Sequence, residues 1–91
     1  MSTLQEKRTR TWSSRSMVLD LETPHGAVVG YVEFDAEISR WRWGARAPSR
    51  NFDFGQRGVE DTRRHALEAA EAGATEIARA LAAEDGVEVA A

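Results

Sequence analysis

The apolar side chains of this chain keep two different periods, and the change from one to the other decides the fold class. From Ser16 to Ala47 they recur at every second residue, the repeat of a half-buried β-strand. From Val59 to Glu84 they recur every third or fourth residue, the repeat of a helix with one buried face. The predicted class is α+β: a three- to four-stranded antiparallel β-meander packed on one long C-terminal α-helix.

The strands follow from parity. Met17, Leu19 and Leu21 share one side of a first strand, with Val18, Asp20 and Glu22 on the other. Thr23-Pro24-His25-Gly26 predicts a tight turn, because proline presets φ at the second position and glycine tolerates positive φ at the fourth. A second strand over 27–35 puts Val28, Gly30, Val32 and Phe34 on one side and Val29, Tyr31, Glu33 and Asp35 on the other. A third over 39–47 separates Trp41, Trp43 and Ala45 from Arg40, Arg42 and Arg46 before Pro48 breaks it. Residues 51–55, with Phe52 and Phe54 alternating, read as a fourth short strand or an extended loop. Residues 1–11, with Lys7, Arg8 and Arg10 and no apolar period, read as a flexible basic arm. A single domain over 12–86 follows, with 87–91 a tail or short edge strand.

The helical stretch over 59–84 lacks proline and is rich in Ala, Glu, Arg and Leu. Leu67, Ala70, Ala74, Ile77 and Leu81 draw its stripe, which Val59 and Ala66 extend. Gly73 costs about 1 kcal/mol inside a helix, but the stripe keeps register across it, so one continuous helix is expected, stopping at Gly86. Its small residues, set against bulky Met17, Leu19, Leu21, Val32, Phe34, Trp41 and Trp43, predict large-against-small packing. Twenty-six helical residues span about 39 Å at 1.5 Å each, more than the roughly 30 Å of nine strand residues. The helix is therefore expected to overhang the sheet.

Composition bounds the function. The chain has 91 residues, no cysteine and a formal charge of −3, which excludes disulfides and thiolate metal sites. Residues 1–50 hold eight Lys/Arg against six Asp/Glu, and residues 51–91 hold four against nine. That balance lowers the expectation of phosphate-driven DNA binding. With no apolar leader or membrane-length run, the expected location is cytoplasmic, without membrane contact. No phosphate-binding loop, dinucleotide fingerprint or nucleophile elbow is present. Asp61 and His65 stand at i,i+4 spacing but lack a third ligand, and Asp53-Phe54-Gly55 is a chance tripeptide. The expectation is no enzyme, no cofactor and no metal.

Two sets of surface residues are candidates for binding. Glu60, Arg64, Glu68 and Glu71 on the outward helix face, with Trp12 as an anchor, would serve a larger protein partner. Arg40, Arg42 and Arg46 on one side of the third strand, with Tyr31 beside them and Lys7, Arg8 and Arg10 on the arm, would serve nucleic acid. The competing structural use of those arginines is a salt-bridge lattice with Asp20, Glu22, Glu33 and Asp35.

Trp41-Arg42-Trp43-Gly44, a glycine-containing link and an Ala-rich helix starting near Thr62 resemble in outline the AP2-type DNA-binding domain over roughly residues 27–83. The resemblance implies DNA contact through the sheet. The family's Tyr-Arg-Gly opening and its Phe-x-Thr-x-Glu-x-Ala-Ala approach to the helix are absent. In size and layout the chain is also similar to small phage- and prophage-encoded inhibitors, anti-CRISPRs among them. The leading expectation is a non-catalytic protein-binding module of the adaptor or inhibitor kind, and the alternative is sheet-face DNA binding. A homodimer is also compatible, since the aromatics are many for so thin a core.

Overall fold

The computed structural model describes residues 6–50 and 55–84. The expected strand over 51–55 lies almost wholly outside these, as do the Gly86 stop and the 87–91 tail. Within them, five strands are followed by one helix: β1 (Lys7–Ser13), β2 (Ser16–Thr23), β3 (Gly26–Asp35), β4 (Arg40–Arg46), β5 (Gln56–Glu60) and α1 (Arg63–Glu84). The strands form one antiparallel sheet in the order β1-β2-β3-β4-β5, a meander with β3 at its centre. The α+β meander with a C-terminal helix is as expected; the strand count is higher.

Parity carries the fold. Met17, Leu19 and Leu21 of β2 are buried, as are Val28 and Val32 of β3 and Ala45 of β4. Register places these side chains on one side of the sheet, since Met17 faces Val32, Leu19 faces Gly30 and Gly30 faces Ala45. The helix covers that side with Ala66, Ala70, Gly73, Ala74, Ile77, Ala78 and Leu81. Each large apolar side chain so buried contributes about 1.5–3 kcal/mol. No polar or charged residue is buried among the described residues.

Hairpin chemistry fixes the register. At the β2–β3 turn, Thr23 Oγ1 accepts the His25 N–H at 3.1 Å and donates to the Gly26 carbonyl at 2.8 Å. Gly26 takes φ +136°, the conformation for which a glycine was expected. At the β3–β4 turn, Asp35 Oδ1 accepts the Glu37 N–H at 2.9 Å, and Ser39 sits in the left-handed region at φ 53°.

Helix α1 is continuous through Gly73, as its stripe implied. The reason is the large residue facing it. A Cβ on Gly73 would stand 3.2 Å from Trp43 Cζ3, and one on Gly58 of β5 would stand 2.7 Å from Trp43 Nε1. The indole is thus held between two glycines, one on the helix and one on the neighbouring strand.

Three expectations need correction. Residues 7–11 are part of edge strand β1 and not a flexible arm: Thr9, Thr11 and Trp12 have strand propensity, and β2 offers an open edge to pair with. Arginines at the inward positions hid the apolar signal.

The helix begins at Arg63 and not at Val59. Thr62 caps it, its Oγ1 accepting the His65 N–H at 3.1 Å and its carbonyl accepting the Ala66 N–H at 3.1 Å. Val59 and Glu60 therefore belong to β5, and Glu60 makes no helical pair with Arg64. At 22 residues the helix is about 33 Å long, no longer than ten-residue β3 at about 3.3 Å per residue. The length difference on which the expected overhang rested is therefore absent between α1 and β3.

Gly58→Ala should destabilise the fold by about 1–3 kcal/mol, because the indole it meets is pinned from the other side by Gly73. Urea unfolding monitored by tryptophan fluorescence measures this; an unchanged midpoint would mean the indole is free to move aside.

Candidate functional site

Register assigns every strand side chain to the side that α1 covers or to the other, the uncovered side, which no element among the described residues covers. Across β1–β2, Arg8 faces Leu21, Arg10 faces Leu19 and Trp12 faces Met17. Arg8, Arg10 and Trp12 therefore lie on the helix side. Glu71 of α1 meets the first two there: Arg8 Nη1 and Arg10 Nε each donate to its carboxylate at 2.6 Å. Trp12, 49% exposed, has the Arg63 guanidinium over its ring at 5.0 Å. One carboxylate and one cation–π contact thus dock β1 to the helix.

The uncovered side is laid out in rows. Its central row reads Thr11, Val18, Tyr31, Gly44, Arg57 from β1 to β5. On one flank runs Thr9, Asp20, Val29, Arg46; on the other, Ser13, Ser16, Glu33, Arg42, Val59. The Tyr31 ring lies on Gly44: a Cβ there would stand 2.5 Å from its Cε2. Val18, Tyr31 and Val59 are exposed at about 40%, 39% and 39%. Beside the tyrosine a shallow groove is lined by Val29, Tyr31, Gly44, Arg46 and Arg57.

Charge on this side is divided between its halves. Apart from Lys7 on β1, which stands opposite Glu22, acids and bases are separate: Asp20 and Glu22 sit on β2 and Glu33 and Asp35 on β3, whereas Arg40, Arg42 and Arg46 sit on β4 and Arg57 on β5. Arg42 Nε donates to Asp35 Oδ2 at 2.6 Å. The Arg42 hydrogen bond, then that from the Glu37 amide, holds the Asp35 carboxyl below its usual value; the same pairing raises Arg42. Arg40 pairs not with a sheet carboxylate but with Asp61 at 3.3 Å. Among the described residues Arg46, Arg57 and Asp20 make no ion pair. The lattice exists at one pair and is open elsewhere.

The candidates consequently separate. Of the residues proposed for nucleic acid, Arg40, Arg42, Arg46, Tyr31 and Lys7 share the uncovered side, while Arg8 and Arg10 lie on the other and are held by Glu71. Of those proposed for a protein partner, Arg64 and Glu68 are exposed on the helix, and Glu71 is half-buried and engaged. Glu60 is half-buried on β5 opposite Trp41, and Trp12 is exposed at the edge. Glu76 accepts from Gln56 Nε2 at 2.9 Å. Asp61 is held by Arg40, and no cluster of three or more His, Asp or Glu suited to a metal occurs among the described residues.

Arg57 went unrecognised in the sequence because the last strand was expected one segment earlier. The parity signal was there: Arg57 and Val59 alternate with Gly58. No helix among the described residues is long and apolar enough to cross a membrane. Comparison with protein-family models, curated proteins and solved structures gives no match.

Glu71→Gln should leave the rest of the fold intact while hydrogen exchange in β1 accelerates, with a stability loss of about 1 kcal/mol from the lost charge network. Exchange rates unchanged in β1 would count against this docking. For Asp35, the folded-state value is depressed, so the pair's contribution is full above the ordinary carboxylate range and is lost as pH falls through the folded value. Asp35→Asn should therefore narrow its stability deficit against the wild type as pH is lowered through that window, as measured by thermal unfolding at successive pH values.

Proposed function

We propose that this protein is a small non-catalytic protein-binding module, of the adaptor or inhibitor kind, that docks through the uncovered side of its sheet. The observation that carries this reading is the composition of that side. An exposed aromatic, Tyr31, lies flat at the centre with Val18 and Val29 beside it, and charged residues surround the three. Protein interfaces have this anatomy, with an apolar aromatic centre and a polar rim. The outward helix face supports docking less, because Glu71 is engaged within the fold and Glu76 is bonded to Gln56.

The nucleic-acid reading keeps one favourable observation, the groove where Tyr31 stands between Arg46 and Arg57. A base can stack on tyrosine while arginines meet phosphate. Against it stand Asp20, Glu22 and Glu33 on the same side, which repel phosphate, and the engagement of Arg8, Arg10, Arg40 and Arg42 in ion pairs.

Affinity capture from nuclease-treated native lysate tests the reading with two variants. Tyr31→Asp should abolish recovery of the partner, at a stability cost of about 1 kcal/mol from lost packing on Gly44 and lower strand propensity, while Glu68→Lys should retain it. Retention by Tyr31→Asp with loss by Glu68→Lys would move the docking surface to the helix. Recovery that disappears only on nuclease treatment would favour nucleic acid.

A further inference from the structure

We infer that the uncovered sheet side binds a second copy of this chain, face to face, about a two-fold axis running along β3. This rests on the reading of that side as a protein-docking surface and names its partner. The argument is charge complementarity. Acidic residues occupy β2 and β3, arginines occupy β4 and β5, and β3 lies midway between β2 and β4. A two-fold axis parallel to the strands turns the sheet over and exchanges its left and right halves. It therefore brings β2 of one copy over β4 of the other. An axis across the strands would instead set β2 on β2 and β4 on β4, placing like charges together. Electrostatics select the first arrangement.

The rows then meet in register. In the central row the Tyr31 backbone position lies on the axis, and Val18 of each copy comes over the Gly44 position of the other, where the tyrosine ring lies. In the neighbouring row Asp20 and Arg46 flank Val29 on opposite sides, so Asp20 of each copy faces Arg46 of the other, twice over. Neither has an ion-pair partner among the described residues of its own copy. Glu33 also lies near the axis, but Arg42 stands beside it in the same row.

The area is adequate for a reversible dimer. Five strands about 4.8 Å apart and some seven residues long cover roughly 500 Å² per copy, or roughly 1,000 Å² in total. That is the lower limit for a specific interface, and it points to association in the micromolar range.

Sedimentation equilibrium of the full chain between roughly 5 and 500 µM, a range chosen to bracket a micromolar Kd, tests this. The wild type should pass from one chain to two. D20R alone and R46D alone should each weaken association at least tenfold, since each creates two like-charge contacts. An equimolar mixture of the two variants should restore association to near the wild-type level, because each mixed pair regains both opposite-charge contacts. Circular dichroism and thermal unfolding check that both variants are folded; D20N and R46Q, expected to weaken association more mildly, replace either that is not.

A wild type monomeric throughout the range overturns the inference, and so does a mixture that fails to associate. A monomer that still loses a heterologous partner through Tyr31→Asp would leave the docking reading standing and remove only the second copy. A monomer whose capture ignores Tyr31 would remove both.

Discussion

The fit of one indole between two glycines sets how the layers of this protein meet. Trp43 is one of two tryptophans packed at the helix–sheet boundary, and it fits only because neither Gly58 nor Gly73 presents a Cβ. A glycine in mid-helix costs about 1 kcal/mol relative to alanine. Here the loss is offset by the approach it allows, which brings Ala70 and Ala74 on the same helix down to the sheet, where they are fully buried. The indole Nε1 is itself buried with no hydrogen-bond partner, a cost of about 1–3 kcal/mol. The same closeness lets the alanines and glycine on the buried side of the helix cover strands of Met, Leu and Val.

From that fit the distribution of charge follows. The helix lies low over the centre of the sheet, so its flank reaches β1, and Glu71 is where the flank and β1 meet. Two arginines there point toward the helix from positions that would otherwise be apolar. A charged inward-facing position on an edge strand is also a recognised device against edge-to-edge pairing. Strand β1 thus closes the sheet with polar contacts, and the apolar core stops at β2. With those charges engaged on the covered side, Arg46 and Arg57, which make no ion pair among the described residues, are left on the open side.

Much of the architecture was legible because strand parity and helical period are read directly from side-chain type. Met17 to Leu21, Val28 to Phe34 and Trp41 to Ala45 all fall on the side their alternation implied, and the helix stripe holds through Gly73. What escaped was the pair of edge strands, for one reason in both cases. An edge strand buries little, so its sequence need not alternate between apolar and polar. In β1 the inward positions are Arg8, Arg10 and Trp12; in β5 they are Gln56, Gly58 and Glu60. None of these announces a core. Their partners across the sheet or on the helix decide the outcome, and those contacts span many residues of sequence. The candidate site was hidden for the same cause: Arg57 cannot be placed beside Tyr31 until β5 is known to pair with β4.

The uncovered side shows what such a small domain leaves unfinished. A five-stranded sheet with one helix has a single buried face, and a chain of this length buries only about 60–65% of its unfolded surface. If charges on the open face were meant only to solvate it, acids and bases on neighbouring strands would neutralise one another throughout, as Asp35 and Arg42 do on the diagonal between β3 and β4. Instead the row holding Asp20 and Arg46 separates them by the whole width of β3, with Val29 between. Such a separation leaves each charge with unmet Coulomb attraction and places apolar surface where a partner's can reach it. Any protein that satisfies those charges binds the folded state alone and so stabilises it by mass action. Two ligands of that face compete for it, whether the second is another copy or a larger protein. On the proposed reading of that face, the fold's stability and the availability of the surface are governed by the same concentration.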